Sequence, residues 1–204
     1  MNYLAIDTCG KNLTLVLSVN GKNYTYFDND LGLRHSVTLM PEIERLTLSA
    51  GFNLKDLDFI ACVVGAGSFT GIRIGVSTAK ALCFAYSKPC LKLTSFDVLA
   101  YNTKDLQNSK VLAVIDAGHN GYYAQVFDKG KTLEPKYLLE PEILELIKDY
   151  APISNDDITA FSTIKADILS GLISAIENKT SEITSNIETL IPLYVRKSQA
   201  EEGR

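Results

Sequence analysis

AIDTCGKNLTLVL, residues 5–17, is an apolar run that ends in Asp7, followed by a turn of small and polar residues and a second apolar run. VIDAGHNGYYAQV, residues 114–126, repeats the arrangement, with Asp7 over Asp116 and Leu13 over Tyr122. Each copy reads as strand, turn, strand. A supersecondary unit that recurs along a chain predicts two similar lobes built one after the other. The polar stretch 102–110 is the expected join, giving an N-terminal lobe over residues 1–102 and a C-terminal lobe over residues 103–204.

Working outward from the first copy, Asn20-Gly21 predicts a tight hairpin turn into a third strand at residues 23–27. Residues 34–50 place Leu39, Ile43, Leu46 and Ala50 at helical spacing, and Gly51 stands where a helix C-terminal glycine belongs. Pro41 lies inside this helix and is expected to kink it, because it removes the hydrogen bond to the Val37 carbonyl. Residues 59–64 are continuously apolar, as in a strand buried on both faces. A helix at about residues 70–87 and a strand at residues 90–93 follow. A three-strand meander followed by alternating helix and strand is the order of a ribonuclease H-like half-domain, an α/β class. In the second half, a third strand at residues 131–138 and helices at residues 141–150 and 163–178 continue the parallel.

The 204 residues are 46% hydrophobic and 22% charged, ordinary globular material with ample apolar surface for a core. The net charge of -4, with no run of Lys or Arg, lacks the footprint of a protein that grips nucleic acid by itself. The four cysteines all lie in the first half and none form C-x-x-C, so neither a thiol-rich zinc site nor a disulfide framework is expected. The start, MNYLAIDTCG, lacks the pattern of a signal peptide, and the most apolar helix candidate carries Arg73 and Lys80, so a reduced, cytoplasmic protein without a membrane span is expected.

GAGSFTGIRIG, residues 65–75, follows the apolar strand and opens the second helix. As a phosphate cradle it falls short. A P-loop needs Lys and a hydroxyl after its last glycine, where Ile72 and Arg73 stand, and Gly65, Gly67 and Gly71 miss the dinucleotide spacing by one residue. The strand that follows ends without an acid to hold a ribose. The other reading is steric. Ser68 or Thr70 caps the helix, and Gly71 and Gly75 bare its backbone one turn apart, in a row continued by Thr78 and Leu82. The opposite row, Ile72, Val76, Ala79, Cys83 and Tyr86, is apolar as well, so the helix is buried on nearly every side, either wholly within the protein's own core or with one row against a second protein.

Asp7 and Asp116 could flank a cleft and hold a metal-bound nucleotide, or each could bond the amides of its own turn. Cys9 has no neighbouring His to activate it. His35 has no companion at ligand spacing.

IDT at residues 6–8, RHS at residues 34–36, GAGSFTGIRIG at residues 65–75 and PLYVR at residues 192–196 occur in this order and run from one end of the chain to the other. Together they resemble the bacterial TsaB (YeaZ) family. The glycine motif is the specific one; Ala66 replaces the proline usual there, losing a fixed backbone angle but no chemical group. The resemblance implies two ribonuclease H-like lobes of the actin/Hsp70 type, the ASKHA fold. It also implies a part in forming N6-threonylcarbamoyladenosine at position 37 of tRNAs that read codons beginning with A. In that family TsaB is the non-catalytic relative of TsaD, which carries an H-x-x-x-H metal site. Here His35 is followed by Ser36, Val37, Thr38 and Leu39, so the second histidine is missing. The resemblance thus implies a scaffold without catalytic, cofactor-binding or metal-binding residues. Its helix pair is expected to bundle with the matching pair of TsaD, or of a second copy as a homodimer when alone. The expected contact residues are Arg34, His35, Leu39, Ile43, Leu46, Gly71, Arg73, Gly75, Thr78 and Leu82, with the two glycines leaving room for the partner helix. TsaE is implied in the larger complex, and tRNA only through it. The alternative, from a different class, is a sugar-kinase or Hsp70-like ATP-binding enzyme using Asp7 and Asp116. It requires an adenosine loop, and the second half offers no glycine-rich stretch for one.

Overall fold

Asn20 and Gly21 both adopt left-handed backbone, φ 51° and 80°, the pairing that lets a two-residue turn match the twist of its strands. They join β2 (Leu13–Val19) to β3 (Lys22–Asp28), and β1 (Tyr3–Asp7) pairs antiparallel with β2. The computed structural model describes residues 1–29, 31–32 and 34–196. It divides into two compact units, Met1–Thr94 with Ile176–Leu193, and Ser95–Ala175 with the stretch that begins at Tyr194.

In the first unit, α1 (His35–Ala50) leads from β3 to β4 (Phe59–Val63), and α2 (Phe69–Tyr86) leads from β4 to β5 (Cys90–Leu93). Both β4 and β5 run parallel to β1, giving the sheet order β3-β2-β1-β4-β5. Every residue of β1 and β4 is buried, as expected of central strands covered on both faces. α1 runs through Pro41 as one helix and stops at Gly51, φ 60°. The Gly51 N–H donates to the Leu48 carbonyl and the Phe52 N–H to that of Thr47, closing the helix in a left-handed conformation that glycine adopts without the cost a side chain would add. The late segment Ile176–Leu193 completes this unit. Thr184 exchanges both backbone hydrogen bonds with Cys90, at 2.8 and 2.9 Å, and the Leu193 N–H donates to the Val64 carbonyl at 2.7 Å.

The second unit opens with α3 (Ser95–Ala100) and then repeats the plan. β6 (Lys110–Gly118) and β7 (Gly121–Asp128) form the hairpin, β8 (Lys131–Thr132) and β9 (Lys136–Leu139) both pair with β7, and α4 (Glu140–Leu146) leads to β10 (Ala151–Ser154). β11 (Ile164–Lys165) and α5 (Ile168–Asn178) follow. The order β11-β10-β6-β7-β8 follows that of the first sheet, with β6 in the place of β1, and β9 adds a sixth strand on β7. Leu112, Val114, Tyr122, Ala124, Val126, Ile143 and Phe161 form its core, with the Tyr122 and Phe161 rings edge to face at 5.4 Å.

Several local expectations are corrected. The single strand read at residues 131–138 is two, parted around Pro135, which has no N–H for a ladder. The helix read at residues 163–178 starts only at Ile168, where the Asp167 carboxylate accepts from the Ser170 N–H and hydroxyl; the residues before it form β11. Neither α3 nor β10 was expected.

Candidate functional site

Thr8 explains the glycines of α2. It follows Asp7 at the end of β1, and its hydroxyl donates to the Gly71 carbonyl at 2.7 Å. A Cβ on Gly71 would strike the Thr8 carbonyl oxygen, one on Gly75 the Thr8 hydroxyl, and one on Gly67 the Cys9 carbonyl oxygen. The bare backbone therefore lets the start of α2 lie directly on the β1–β2 turn. Gly71 and Gly75 are both buried there. The expectation that they leave a strip for another protein's helix is overturned, because this chain's own turn already fills it.

The same contact removes the phosphate reading. The Ser68 N–H donates to the Cys9 carbonyl at 2.7 Å, the Gly71 N–H to the Ser68 hydroxyl at 3.3 Å, and the Ile72 N–H to the Ser68 carbonyl at 2.9 Å. An anion at a helix start needs such amides turned toward it. Here they serve the helix cap and the turn.

Asp7 accepts the Cys9 N–H at 2.9 Å, and Asp116 accepts the Gly118 N–H at 2.8 Å, so both close the local turn in the same way. Asp7 is buried, and burial pushes its carboxyl above its ordinary value, against the opposing pull of Cys9 and His35. Burial also drives the Cys62 thiol far up, with Asp7 adding to it, and pushes Cys83 up to about 12. Thiols held protonated in this way are poor nucleophiles. Among the described residues no three His, Cys, Asp or Glu side chains converge as a metal would require.

Of the residues expected to meet a partner, Arg34 and Arg73 are exposed and Thr78 is half-buried. His35, Leu39, Ile43, Leu46, Gly71, Gly75 and Leu82 are buried within this unit, so their placement on an outer surface is corrected. Leu39, Ile43 and Leu46 follow the helical period that turns α1 onto β2 and β3, and burying them is what holds the helix there. The surface belongs to the neighbouring row. On α1 it carries Val37, 69% exposed, Met40, 48%, and Leu48, 74%, beside Pro41 and Glu44. On α2 it carries Arg73, Ser77, Ala81 and Phe84, the last 79% exposed. The Arg73 guanidinium lies 4.0 Å above the Phe69 ring. Val37, Met40 and Leu48 stand at helical spacing in the sequence, a signal passed over because the inner row is the stronger one.

Comparison with known proteins places this geometry. The family model for TsaD, tRNA N6-adenosine threonylcarbamoyltransferase, matches residues 30–183, well over half of the chain. A Haemophilus influenzae protein named tRNA threonylcarbamoyladenosine biosynthesis protein TsaB is 32% identical over 62% of this chain and 54% of its own length. The Bacillus subtilis protein of the same name is 25% identical over 98% of this chain and 96% of its own length. A solved Pseudomonas aeruginosa structure, described as similar to the peptidase YeaZ, superposes with a TM-score of 0.72 at 23% identity, covering 96% of this chain and 99% of that one, and supports the fold. The two repeated sheets are the two lobes of the actin-like ASKHA fold. Fold, motifs and relatives agree: the chain belongs to the TsaB (YeaZ) family, within the reach of the TsaD family model.

Proposed function

We propose that this chain is a non-catalytic subunit of the machinery that forms N6-threonylcarbamoyladenosine at position 37 of tRNAs reading codons that begin with A. It docks a TsaD-type transferase through the outward face of α1 and α2, pairs with a second copy when alone, and is joined by TsaE in the larger cytoplasmic assembly. The tRNA is held by the assembly, since a net charge of -4 supplies this chain with few phosphate contacts. The observation that carries the reading is the outward helix face itself. Val37, Met40, Leu48 and Phe84 stand in water on two adjacent helices, while the loop that would hold a phosphate is packed against Thr8 and Cys9. Exposed apolar side chains at helical spacing on two touching helices, interspersed with Glu44 and Arg73, are the composition of an interface rather than of a solvated surface.

The test is the double variant Val37→Glu with Phe84→Glu. Both side chains are surface-exposed, so the melting temperature should stay within a few degrees, whereas co-purification with the organism's TsaD should fail. Transfer activity of TsaD on tRNA, assayed with and without the chain, should drop with the variant as it drops without the protein. A variant that still pairs and activates would remove this face from the function.

A further inference from the structure

His35 is the first residue of α1 and is only 6% exposed. Its Nε2 lies 3.1 Å from the carbonyl oxygen of Asn12, the last residue of the β1–β2 turn. A carbonyl only accepts, so Nε2 carries the hydrogen and donates. Arg34, at the N-cap position, gives α1 no side-chain cap. The helix start is therefore held to the rest of the unit from the side, by an imidazole reaching the turn. Leu31, just upstream, reinforces this by donating its N–H to the Lys11 carbonyl of the same turn at 3.0 Å.

The other end of that turn holds α2. The Thr8 hydroxyl donates to Gly71, and Cys9 accepts the Ser68 N–H. One short loop thus grips the first turns of both helices, His35 on one side and Gly71 on the other. We propose that His35 is a positioning residue for partner docking: its Nε2–H bond to the Asn12 carbonyl fixes the start of α1 on the loop that fixes α2, and so sets the outward face the pair presents. This inference rests on the docking function proposed above. His35 touches no partner in it and acts through the position of Val37 and Met40, in the first turns of α1.

The experiment compares the full-length wild-type chain, His35→Leu, which keeps bulk but loses the donor, and His35→Gln, whose amide nitrogen can replace Nε2. Binding to purified TsaD and amide hydrogen exchange over residues 36–40 of the isolated chain are both measured. His35→Leu should bind roughly tenfold more weakly, the worth of about one hydrogen bond, and should exchange faster at the start of α1. His35→Gln should recover both. If His35→Leu does not fold, His35→Asn, too short to reach Asn12, takes its place against His35→Gln. Equal binding by the donor-less variant, unchanged exchange, or a folded His35→Gln as weak as His35→Leu would each overturn the proposal. A wild-type chain that does not bind TsaD would instead overturn the docking function, and the exchange comparison would still decide whether His35 holds the helix.

Discussion

The β1–β2 turn and the β6–β7 turn are the same device in two settings. Each follows a central strand that ends in Asp, and in each the carboxylate accepts the amide two residues on. In the first unit a helix start presses on the turn, and Asp7 is buried beneath it. In the second, Asp116 and the residues through Asn120 are mostly exposed, and a Cβ added at Gly118 would meet nothing within 4 Å. Repetition of a backbone motif therefore does not carry repetition of a role. What sits on the turn decides whether it is buried under a helix, as in the first unit, or left exposed with the Asp156 carboxylate accepting the Asp116 N–H at 2.8 Å, as in the second.

That contrast can be broken by substitution. Gly71→Val should have the largest effect, because its side chain is driven into the Thr8 backbone rather than into a movable side chain. Overpacking of this kind costs about 1–3 kcal/mol, and more where backbone must move, read as a steep fall in the denaturant midpoint and, as a consequence, in partner binding. A Gly71→Val protein of normal stability would mean the helix does not lie on the turn.

Asp7→Asn tests the burial of the carboxyl. A carboxyl raised on folding above its ordinary 3.8 favours the folded state fully below that value, and the advantage is lost as pH rises through the folded value. The stability of wild type relative to Asp7→Asn should accordingly decline as pH climbs from 3 toward neutrality, where the variant should be the equal of wild type or better. The comparison is a pair of denaturation series across pH, and a rising difference would contradict the burial. Gly118→Ala in the second turn should cost about 1 kcal/mol, the price of φ 74° for a residue with a Cβ and nothing more. Asp116→Asn keeps an acceptor for Gly118 in an exposed place and should stay within about 0.5 kcal/mol of wild type.

Much of this was legible in the residues. The repeated strand–Asp–turn, Asn20-Gly21, the Gly51 stop and the Ser68 cap each depend on neighbours close in sequence, and each stands where local chemistry puts it. The misread elements are those with little local signal. α3 is too short for helical periodicity to accumulate, β10 contains Pro152, and β11 is two residues ahead of a true helix. The direction faced by the glycine row was beyond local reading for a different reason. Both rows of α2 are apolar or small, and its occupant, Thr8, lies 63 residues away. Spacing identified a close approach but not what approaches. The same limit misassigned Leu39, Ile43 and Leu46, since a strong apolar row predicts burial without saying under what.

The return of Ile176–Leu193 to the first unit has a consequence in time. A chain leaving the ribosome delivers β5 long before Thr184, the residue that pairs with the open side of Cys90. At roughly 5–20 residues per second, that strand edge waits several seconds while Ser95–Ala175 of the second unit is made. An unpaired edge is a template for pairing with other chains. Newly made copies of this protein are thus most prone to aggregate not at the start of synthesis but in its second half, and a nascent chain stalled before Thr184 would carry that liability for as long as it persists.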